Sequence, residues 1–268
     1  MFNTTIATQI YAKICFEATN SQKKIIENLS EYLSDDDFSR IFVLNGFAGT
    51  GKTTLIAAVV AALKELRIKP VLLAPTGRAA KVLARYCGEQ ALTIHKRIYR
   101  QRTNADYESK FSLDFNREQG AVFIVDEASM LSDSTGDGAL FGSGSLLEDL
   151  VSYVRSGRGC RLILVGDSAQ LPPVGCDFSP ALDPATVSRY GEVVYGLMDE
   201  VVRQQMQSGI LFNATLVRCM LENRIYEIPK FEMDYPDFES VEGGYFMEKL
   251  QDAFDRYGLS LIHISEPT

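Results

Sequence analysis

A glycine-rich segment carries the most specific chemistry in the sequence. Residues 46–53 match the pattern G-x-x-x-x-G-K-[ST], in which glycines let a loop curl until its backbone N–H groups point at phosphate oxygens. The helix that follows adds partial positive charge, the lysine reaches the β- and γ-phosphates, and the next hydroxyl binds Mg²⁺. The sequence therefore predicts a nucleoside triphosphate site. Its residues are Gly46, Phe47, Ala48, Gly49, Thr50, Gly51, Lys52, Thr53 and Thr54.

Two adjacent acids come directly after an apolar run at residues 121–125. Asp126 and Glu127 match a Walker B pattern, and they follow a predicted strand at the end where sheets of this kind bind ligands. We expect Asp126 to hold Mg²⁺ through water, together with Thr53, and Glu127 to position and activate the attacking water. Two solvated loop acids are the alternative, and the phosphate-loop pattern upstream favours the catalytic interpretation.

A polar segment, Gly166–Pro173, follows another apolar run. Polar groups at the ends of adjacent parallel strands converge on one crevice. A glutamine in that place, here Gln170, can sense a γ-phosphate and report its loss to a second site. As a bare pattern the segment is a turn, and its spacing alone indicates no more.

Short apolar runs predict the buried strands that must position these groups, and helical patterns alternate with them. The runs are residues 41–45, 71–74, 121–125 and 161–165. Residues 19–21 offer N-caps for an early helix. Thr76 can cap another helix that reaches about Cys87, where Gly88 can end it. Alternation of this kind predicts an α/β fold with a parallel sheet flanked by helices.

Two segments break the alternation of strands and helices. Residues 97–119 are polar with scattered aromatic residues, and they predict a small hairpin insertion. Residues 132–145 are rich in Gly, Ser and Asp, which is typical of a mobile surface loop. Neither segment is long enough to form a domain with its own core.

The composition excludes several classes of protein. The 268 residues carry a formal net charge of -8, so the charge of the whole chain does not favour binding to the negatively charged backbone of nucleic acid. The five cysteines are far apart, and with two histidines they offer no zinc-ligand spacing. We expect reduced thiols in a cytoplasmic protein. The longest apolar run, residues 55–63, is too short to span a bilayer.

Six ordered segments together resemble the motifs of superfamily-one DNA helicases of the RecD-like and Dda-like group, which are AAA-type P-loop helicases. The resemblance runs from about residue 19 to about residue 222. It implies a RecA-like fold and Mg-ATP hydrolysis coupled to 5′–3′ movement on single-stranded DNA, with unwinding at a duplex fork. The segments are GFAGTGKTT (46–54), APTGRAAKVL (74–83), TIHKRIY (93–99), VDEASML (125–131), GDSAQLPPVG (166–175) and EVVRQ (200–204).

The resemblance also implies roles for single residues. Gln22 resembles the glutamine that reads the adenine edge, and Gln170 resembles the residue that couples the γ-phosphate to the DNA track. Arg203 resembles an arginine that reaches the γ-phosphate from the second motor domain, although a surface arginine is the alternative. The catalytic residues that the resemblance implies are Lys52, Glu127, Gln170 and Arg203.

Single-stranded DNA contacts are implied by the same resemblance. Such contacts fall on Pro75, Thr76, Gly77, Arg78 and His95. A lone histidine is more often a packed structural residue, but residues 93–95 match the family pattern, so both interpretations of His95 stay open.

Basic residues support a DNA track in this region. Between residues 78 and 102 there are seven of them against one acid, which suits a phosphate backbone; a solvated helix face is the alternative. The hairpin insertion resembles the strand-separating pin of the group, with Tyr107 or Phe111 as candidates to stack on the duplex end.

The predicted domain organisation is incomplete for a helicase. We expect a motor domain over residues 1–196 and the truncated start of a second motor domain over residues 197–268. Residues 259–268 resemble translated adapter sequence, and a natural apolar strand is the alternative. The leading hypothesis is an ATP-dependent DNA helicase, with a monomer favoured, and repair, recombination and phage replication stay open as its role. The alternatives are a P-loop phosphotransferase that acts on a small molecule, and a fragment that binds nucleotide and DNA without turnover.

Overall fold

The structure, a computed structural model, describes residues 2–103, 109–133, 141–200, 208–238 and 240–257. The chain divides into two compact units, Met1–Val202 and Arg203–Thr268. The boundary predicted between residues 196 and 197 falls within a strand that ends at Met198. Because that strand is hydrogen-bonded into the main sheet, the first unit extends beyond the predicted boundary.

The first unit contains helices and strands in alternation. Its helices are α1 (Phe2–Lys13), α2 (Asn20–Ser34), α3 (Lys52–Glu65), α4 (Gly77–Cys87), α5 (Ile94–Ile98), α6 (Leu146–Ser156) and α7 (Pro184–Val187). Its strands are β1 (Ile41–Gly46), β2 (Pro70–Ala74), β3 (Ala91–Thr93), β4 (Tyr99–Thr103), β5 (Ser109–Leu113), β6 (Val122–Val125), β7 (Arg161–Gly166) and β8 (Val193–Met198).

A six-stranded sheet with the order β3-β2-β6-β7-β1-β8 forms the centre of this unit. All of its neighbouring strands run parallel. The predicted α/β fold class and the predicted strands are therefore confirmed. The sequence did not indicate β3 and β8, because β3 has three half-buried residues and β8 is partly exposed and contains Gly196.

Each face of the sheet has its own apolar core. Phe42 and Leu44 of β1 pack with α1, α2 and α3 on one face. Ile41 and Val43 pack with α5 and α6 on the other. Successive side chains of a strand point to opposite faces, so a strand that is covered on both sides is apolar throughout. This burial explains why β1 could be predicted from composition alone.

Two helix starts that matter for the site follow the predicted capping chemistry. Thr19 caps α2 in a reciprocal box with Gln22, whose side chain accepts the Thr19 N–H. The Thr76 side chain accepts the Ala79 N–H at the start of α4. Gly88 ends α4 in the left-handed region, with φ at 63°.

The antiparallel pair β4–β5 lies within the insertion predicted at residues 97–119. Phe141, within the loop predicted at residues 132–145, forms a β-bridge with Phe111 of the hairpin. Part of the predicted loop at residues 132–145, residues 134–140, lies outside the described residues.

The second unit contains helices α8 (Gly209–Glu222) and α9 (Phe246–Tyr257). Within it, the buried Asn213 side chain exchanges two hydrogen bonds with the backbone of Glu232. Residues 259–268 lie outside the described residues. No helix in the described ranges is long and apolar enough to cross a membrane.

Candidate functional site

The phosphate loop joins the end of β1 to the start of α3. Gly49 and Gly51 take the left-handed backbone conformation, with φ at 77° and 85°, which side chains disfavour. A Cβ on Gly46 would lie 2.9 Å from the Cβ of Met198. The pattern thus requires glycine for backbone freedom at two positions and for close packing at a third. Helix α3 begins at Lys52 and directs its N-terminus at the loop.

Lys52 lies folded against this loop. Its Nζ donates hydrogen bonds to the backbone oxygens of Gly46 and Phe47, the latter at 2.9 Å. The carboxylate of Asp167 lies 3.9 Å away. Burial lowers the pKa of Lys52, and the nearby charges of Asp167 and the acidic pair partly oppose that shift. The ammonium is thus held among acceptors that a phosphate can replace.

The acidic pair follows β6 as predicted. Burial raises the pKa of Asp126. Burial and then the neighbouring charge of Asp126 raise the pKa of Glu127. Glu127 has a left-handed backbone, with φ at 55° and ψ at 37°, a conformation that costs on the order of 1–3 kcal/mol for a residue other than glycine. Strained residues of this kind cluster at functional sites.

Gln22 connects α2 to the phosphate loop. Its side chain is fully buried, and its Nε2 donates to the backbone oxygen of Thr50 at 3.0 Å. The Thr50 hydroxyl in turn donates to the Phe47 oxygen. The structure therefore brings Gln22 to the predicted site, where it is bonded to the loop itself.

Gln170 lies in the turn that follows β7. Its N–H donates to the backbone oxygen of Asp167 at 3.1 Å, which closes the turn. Asp167 is buried and faces Lys52. The sequence placed Asp167 in a motif without a role, and only the fold reveals its position beside the lysine.

An open cleft of about 380 Å³ is lined by side chains from these separate loops. It joins the strand ends to the start of α4, so hydroxyl, carboxylate, carboxamide and guanidinium groups share one space. The polar residues that line it are Thr53, Thr76, Arg78, Asp126, Glu127 and Gln170.

These residues suit Mg²⁺ bound with a nucleotide. Mg²⁺ is commonly held by one or two carboxylates together with substrate phosphates, and Thr53 and Asp126 line the cleft together. Within the described residues, no cluster of three or more His, Cys, Asp or Glu side chains could hold a metal by itself. The hydroxyl of Thr53 and the carboxylate of Asp126 are oxygen donors of the kind that Mg²⁺ takes together with nucleotide phosphates.

The start of α4 forms the other side of the cleft. Thr76, Gly77 and Arg78 are exposed, and a Cβ on Gly77 would meet nothing within 4 Å. Farther along the helix, Lys81 and Arg85 are exposed too, and α4 contains no acid. Pro75, at the end of β2, is half-buried.

The basic stretch predicted at residues 78–102 is divided by the fold. Arg97 donates to Glu118 at 2.6 Å, and Arg100 lies 3.9 Å from Asp114. These two arginines thus each have an acidic neighbour, whereas Lys81 and Arg85 lie on the exposed face of α4.

His95 lies at the base of the hairpin. Its ring lies 5.1 Å from Phe141 and 5.7 Å from Tyr99, measured between centroids. Burial lowers the pKa of His95. His95 does not line the cleft that contains Thr76 and Arg78. Because Ala74 of β2 pairs with Thr93 of β3, His95 and Pro75 nevertheless follow the ends of neighbouring strands.

Other predicted residues are engaged elsewhere or lie outside the described ranges. Phe111 stacks on Phe141 with a centroid distance of 4.5 Å and an interplanar angle of 22°. Tyr107 and Arg203 lie outside the described residues.

Comparison with known proteins shows the family to which the chain belongs. The family model described as an AAA domain matches residues 17–212, which is more than half of the chain. The chain belongs to this AAA domain family. The predicted resemblance to RecD-like and Dda-like helicases is confirmed.

Several relatives of this AAA domain are known. This chain is 31% identical over 154 residues to the ATP-dependent RecD2 DNA helicase of Deinococcus radiodurans. The alignment covers 58% of this chain and 19% of that protein. The chain is 34% identical over 136 residues to the ATP-dependent DNA helicase dda of Enterobacteria phage T4, covering 49% of this chain and 28% of that protein. The chain thus spans less than a third of the length of these two relatives.

A solved structure supports the fold. The Pif1 helicase from Bacteroides in complex with ADP-AlF3 and single-stranded DNA aligns with a TM-score of 0.50 and 18% identity. The alignment covers 91% of this chain and 58% of that one. It agrees with the RecA-like arrangement of the parallel sheet.

Proposed function

We propose that the chain is the nucleotide-binding part of an ATP-dependent DNA helicase. In this proposal Mg-ATP hydrolysis drives 5′–3′ movement on single-stranded DNA and unwinding at a duplex fork. The observation that carries the proposal is the shared cleft, in which phosphate-loop and acidic-pair residues line the same space as Thr76 and Arg78. A nucleotide and a DNA strand on the two sides of such a cleft can influence each other.

In this mechanism the chain's own residues bind and orient the nucleotide. Lys52 exchanges its two backbone acceptors for phosphate oxygens, and Thr53 and Asp126 hold Mg²⁺, which neutralises phosphate charge when bound. Glu127 orients the attacking water and accepts its proton, a role that a raised carboxylate pKa favours. Gln170 senses the γ-phosphate, and Gln22 reads the adenine edge.

The DNA partner is proposed to contact the start of α4. Exposed Thr76, Gly77 and Arg78 meet the strand at the helix N-terminus, whose partial positive charge suits phosphate. Lys81 and Arg85 continue the contact along the exposed face. The second unit is proposed to begin the second motor domain, with Arg203 reaching the γ-phosphate. A monomeric cytoplasmic protein acting in repair or recombination fits these proposals.

An ATPase assay with and without oligothymidylate tests the proposal. We expect turnover to rise with DNA and to be lost in Lys52→Ala, while Lys64→Ala, on the same helix and exposed, keeps it. DNA-independent turnover of a small phosphate acceptor would instead support a phosphotransferase. Binding of both ligands without multiple turnover would support the binding-only alternative. Equal turnover in Lys52→Ala would refute the site assignment.

Directional assays address the finer part of the proposal. Forked DNA with a single 5′ or 3′ tail is offered to a protein that contains both motor domains. Unwinding that requires the 5′ tail is expected. Unwinding that requires the 3′ tail would contradict the proposed polarity.

A further inference from the structure

A buried carboxamide lies where the phosphate loop begins. Asn45 is the residue of β1 immediately before Gly46, and it is 5% exposed. The rest of the strand that precedes it is apolar. A buried polar side chain is costly unless its hydrogen bonds are made, so its partners indicate why asparagine occurs here.

The Asn45 side chain makes three hydrogen bonds, and two of them go to one residue. Its Nδ2 donates to the Ser168 Oγ at 2.8 Å, and its Oδ1 accepts the Ser168 N–H at 3.0 Å. Its Nδ2 also donates to the Tyr195 Oη at 3.0 Å. A carboxamide offers two donors and two acceptor sites, so the group is nearly saturated.

Ser168 belongs to the turn that carries the sensing glutamine. It lies between Asp167, whose carboxylate faces Lys52 at 3.9 Å, and Gln170, which lines the cleft. The turn is closed by a bond between the Gln170 N–H and the Asp167 oxygen. A two-point bond to Ser168 therefore fixes the whole turn relative to β1.

The register of the sheet makes this link direct. Asn45 pairs with Gly166 of β7 on one side and with Leu197 of β8 on the other. The strand that feeds the phosphate loop and the strand that feeds the Gln170 turn thus end side by side. Asn45 bridges the two loops at the point where they leave the sheet.

We infer that Asn45 is a positioning residue that couples the phosphate loop to Gln170. It does not touch the nucleotide; it holds the sensing turn at a fixed distance from the loop that binds the phosphates. The inference rests on the proposed function, in which Gln170 communicates between nucleotide and DNA. Without Asn45, nucleotide still binds, and the turn no longer transmits the state of the phosphate site.

The coupling between the two ligands is the quantity to measure. The affinity of this chain for a fluorescent non-hydrolysable ATP analogue with Mg²⁺ is determined with and without saturating oligothymidylate. The coupling factor is the larger of the two dissociation constants divided by the smaller. Allosteric coupling typically changes affinity about fivefold or more. We expect Asn45→Ala to keep the DNA-free affinity within about twofold and to bring the ratio close to one.

Matched variants separate positioning from general damage. Tyr195→Phe removes one bond of Asn45 and leaves both bonds to Ser168, so it should keep the wild-type ratio. Ser168→Ala removes one of the two Ser168 bonds at an exposed position, so it should fold and give an intermediate ratio. Asn45→Ala combined with Gln170→Ala should lose no more coupling than Gln170→Ala alone, because both act in one path.

The outcomes distinguish this inference from the function on which it rests. A wild-type chain that binds neither ligand contradicts the proposed function. If the wild-type ratio is above one and stays unchanged in Ser168→Ala and in folded Asn45→Ala, the role of Asn45 is overturned. The proposed function is not affected by that result. A wild-type ratio of one overturns the role of Asn45 too, since there is then no coupling to transmit. A large loss of DNA-free affinity in Asn45→Ala would show that the residue acts on the phosphate loop instead.

Discussion

Gln22 donates a hydrogen bond from its buried Nε2 to the backbone oxygen of Thr50, 3.0 Å away within the phosphate loop. The residue proposed to read adenine is thus also a direct support of the phosphate site. Its Oε1 accepts the Thr19 N–H, and the whole side chain is buried between α2 and the loop.

Replacing Gln22 by Glu tests both roles at once. Glutamate accepts from Thr19 and cannot donate to Thr50, so we expect weaker binding of ATP and GTP analogues, with the larger loss for ATP. Fluorescence titration with both analogues measures this. An equal loss for the two nucleotides would contradict adenine reading, and an unchanged GTP affinity would contradict support of the loop.

The backbone of Glu127 gives a prediction about stability. Glu127→Gly and Glu127→Ala both remove the carboxylate, and only glycine tolerates a φ of 55° without strain. We expect Glu127→Gly to be the more stable of the two by about 1 kcal/mol. Urea unfolding of both variants measures the difference. An alanine variant of equal or greater stability would show that the left-handed conformation carries no strain.

The carboxylate of Glu127 gives a separate prediction about chemistry. Glu127→Gln should keep nucleotide binding and lose turnover by about 10²–10⁴-fold, the range for general acid–base catalysis. Steady-state ATPase rates and analogue binding are compared in a protein that contains both motor domains. Turnover within a few-fold of wild type would remove Glu127 from the catalytic role.

The exposed basic face of α4 predicts the salt dependence of DNA binding. Each phosphate neutralised on a single strand contributes about 0.7 to the slope of log affinity against log salt. The double substitution Lys81→Ala with Arg85→Ala should therefore lower that slope by about 1.4. The control is Lys23→Ala with Lys24→Ala, which removes the same charge from exposed positions of α2. Equal slopes in the two double variants would place the DNA elsewhere.

His95 predicts a pH-dependent part of the stability. Its folded-state pKa lies below the ordinary value because of burial, so the unfolded chain takes up its proton first. The contribution of neutral, buried His95 to the free energy of unfolding is fully present above the ordinary pKa of about 6.5. It declines as the pH falls below that value. Wild type should therefore lose more stability than His95→Gln between about pH 7.5 and about pH 5.5. Identical pH profiles in thermal unfolding would contradict this.

The local sequence was sufficient to predict most of the strands and helix ends that position the site. The strands at residues 41–45 and 161–165 were predictable because strands buried on both faces are apolar at every position. The cap at Thr76 and the end at Gly88 were predictable because each depends on the chemistry of one turn. Strand β3 was missed, since three half-buried residues give no periodic signal.

The sequence by itself determined the loop chemistry: a phosphate-binding glycine pattern, an acidic pair, and a glutamine after a strand. Those signals are local, because each depends on a few consecutive residues. The tertiary structure decided which groups meet. It placed Asp167 beside Lys52, tied Gln22 to Thr50 and packed His95 among aromatic rings. Such contacts depend on strand order and register, which join residues that are distant in the chain and leave no local pattern.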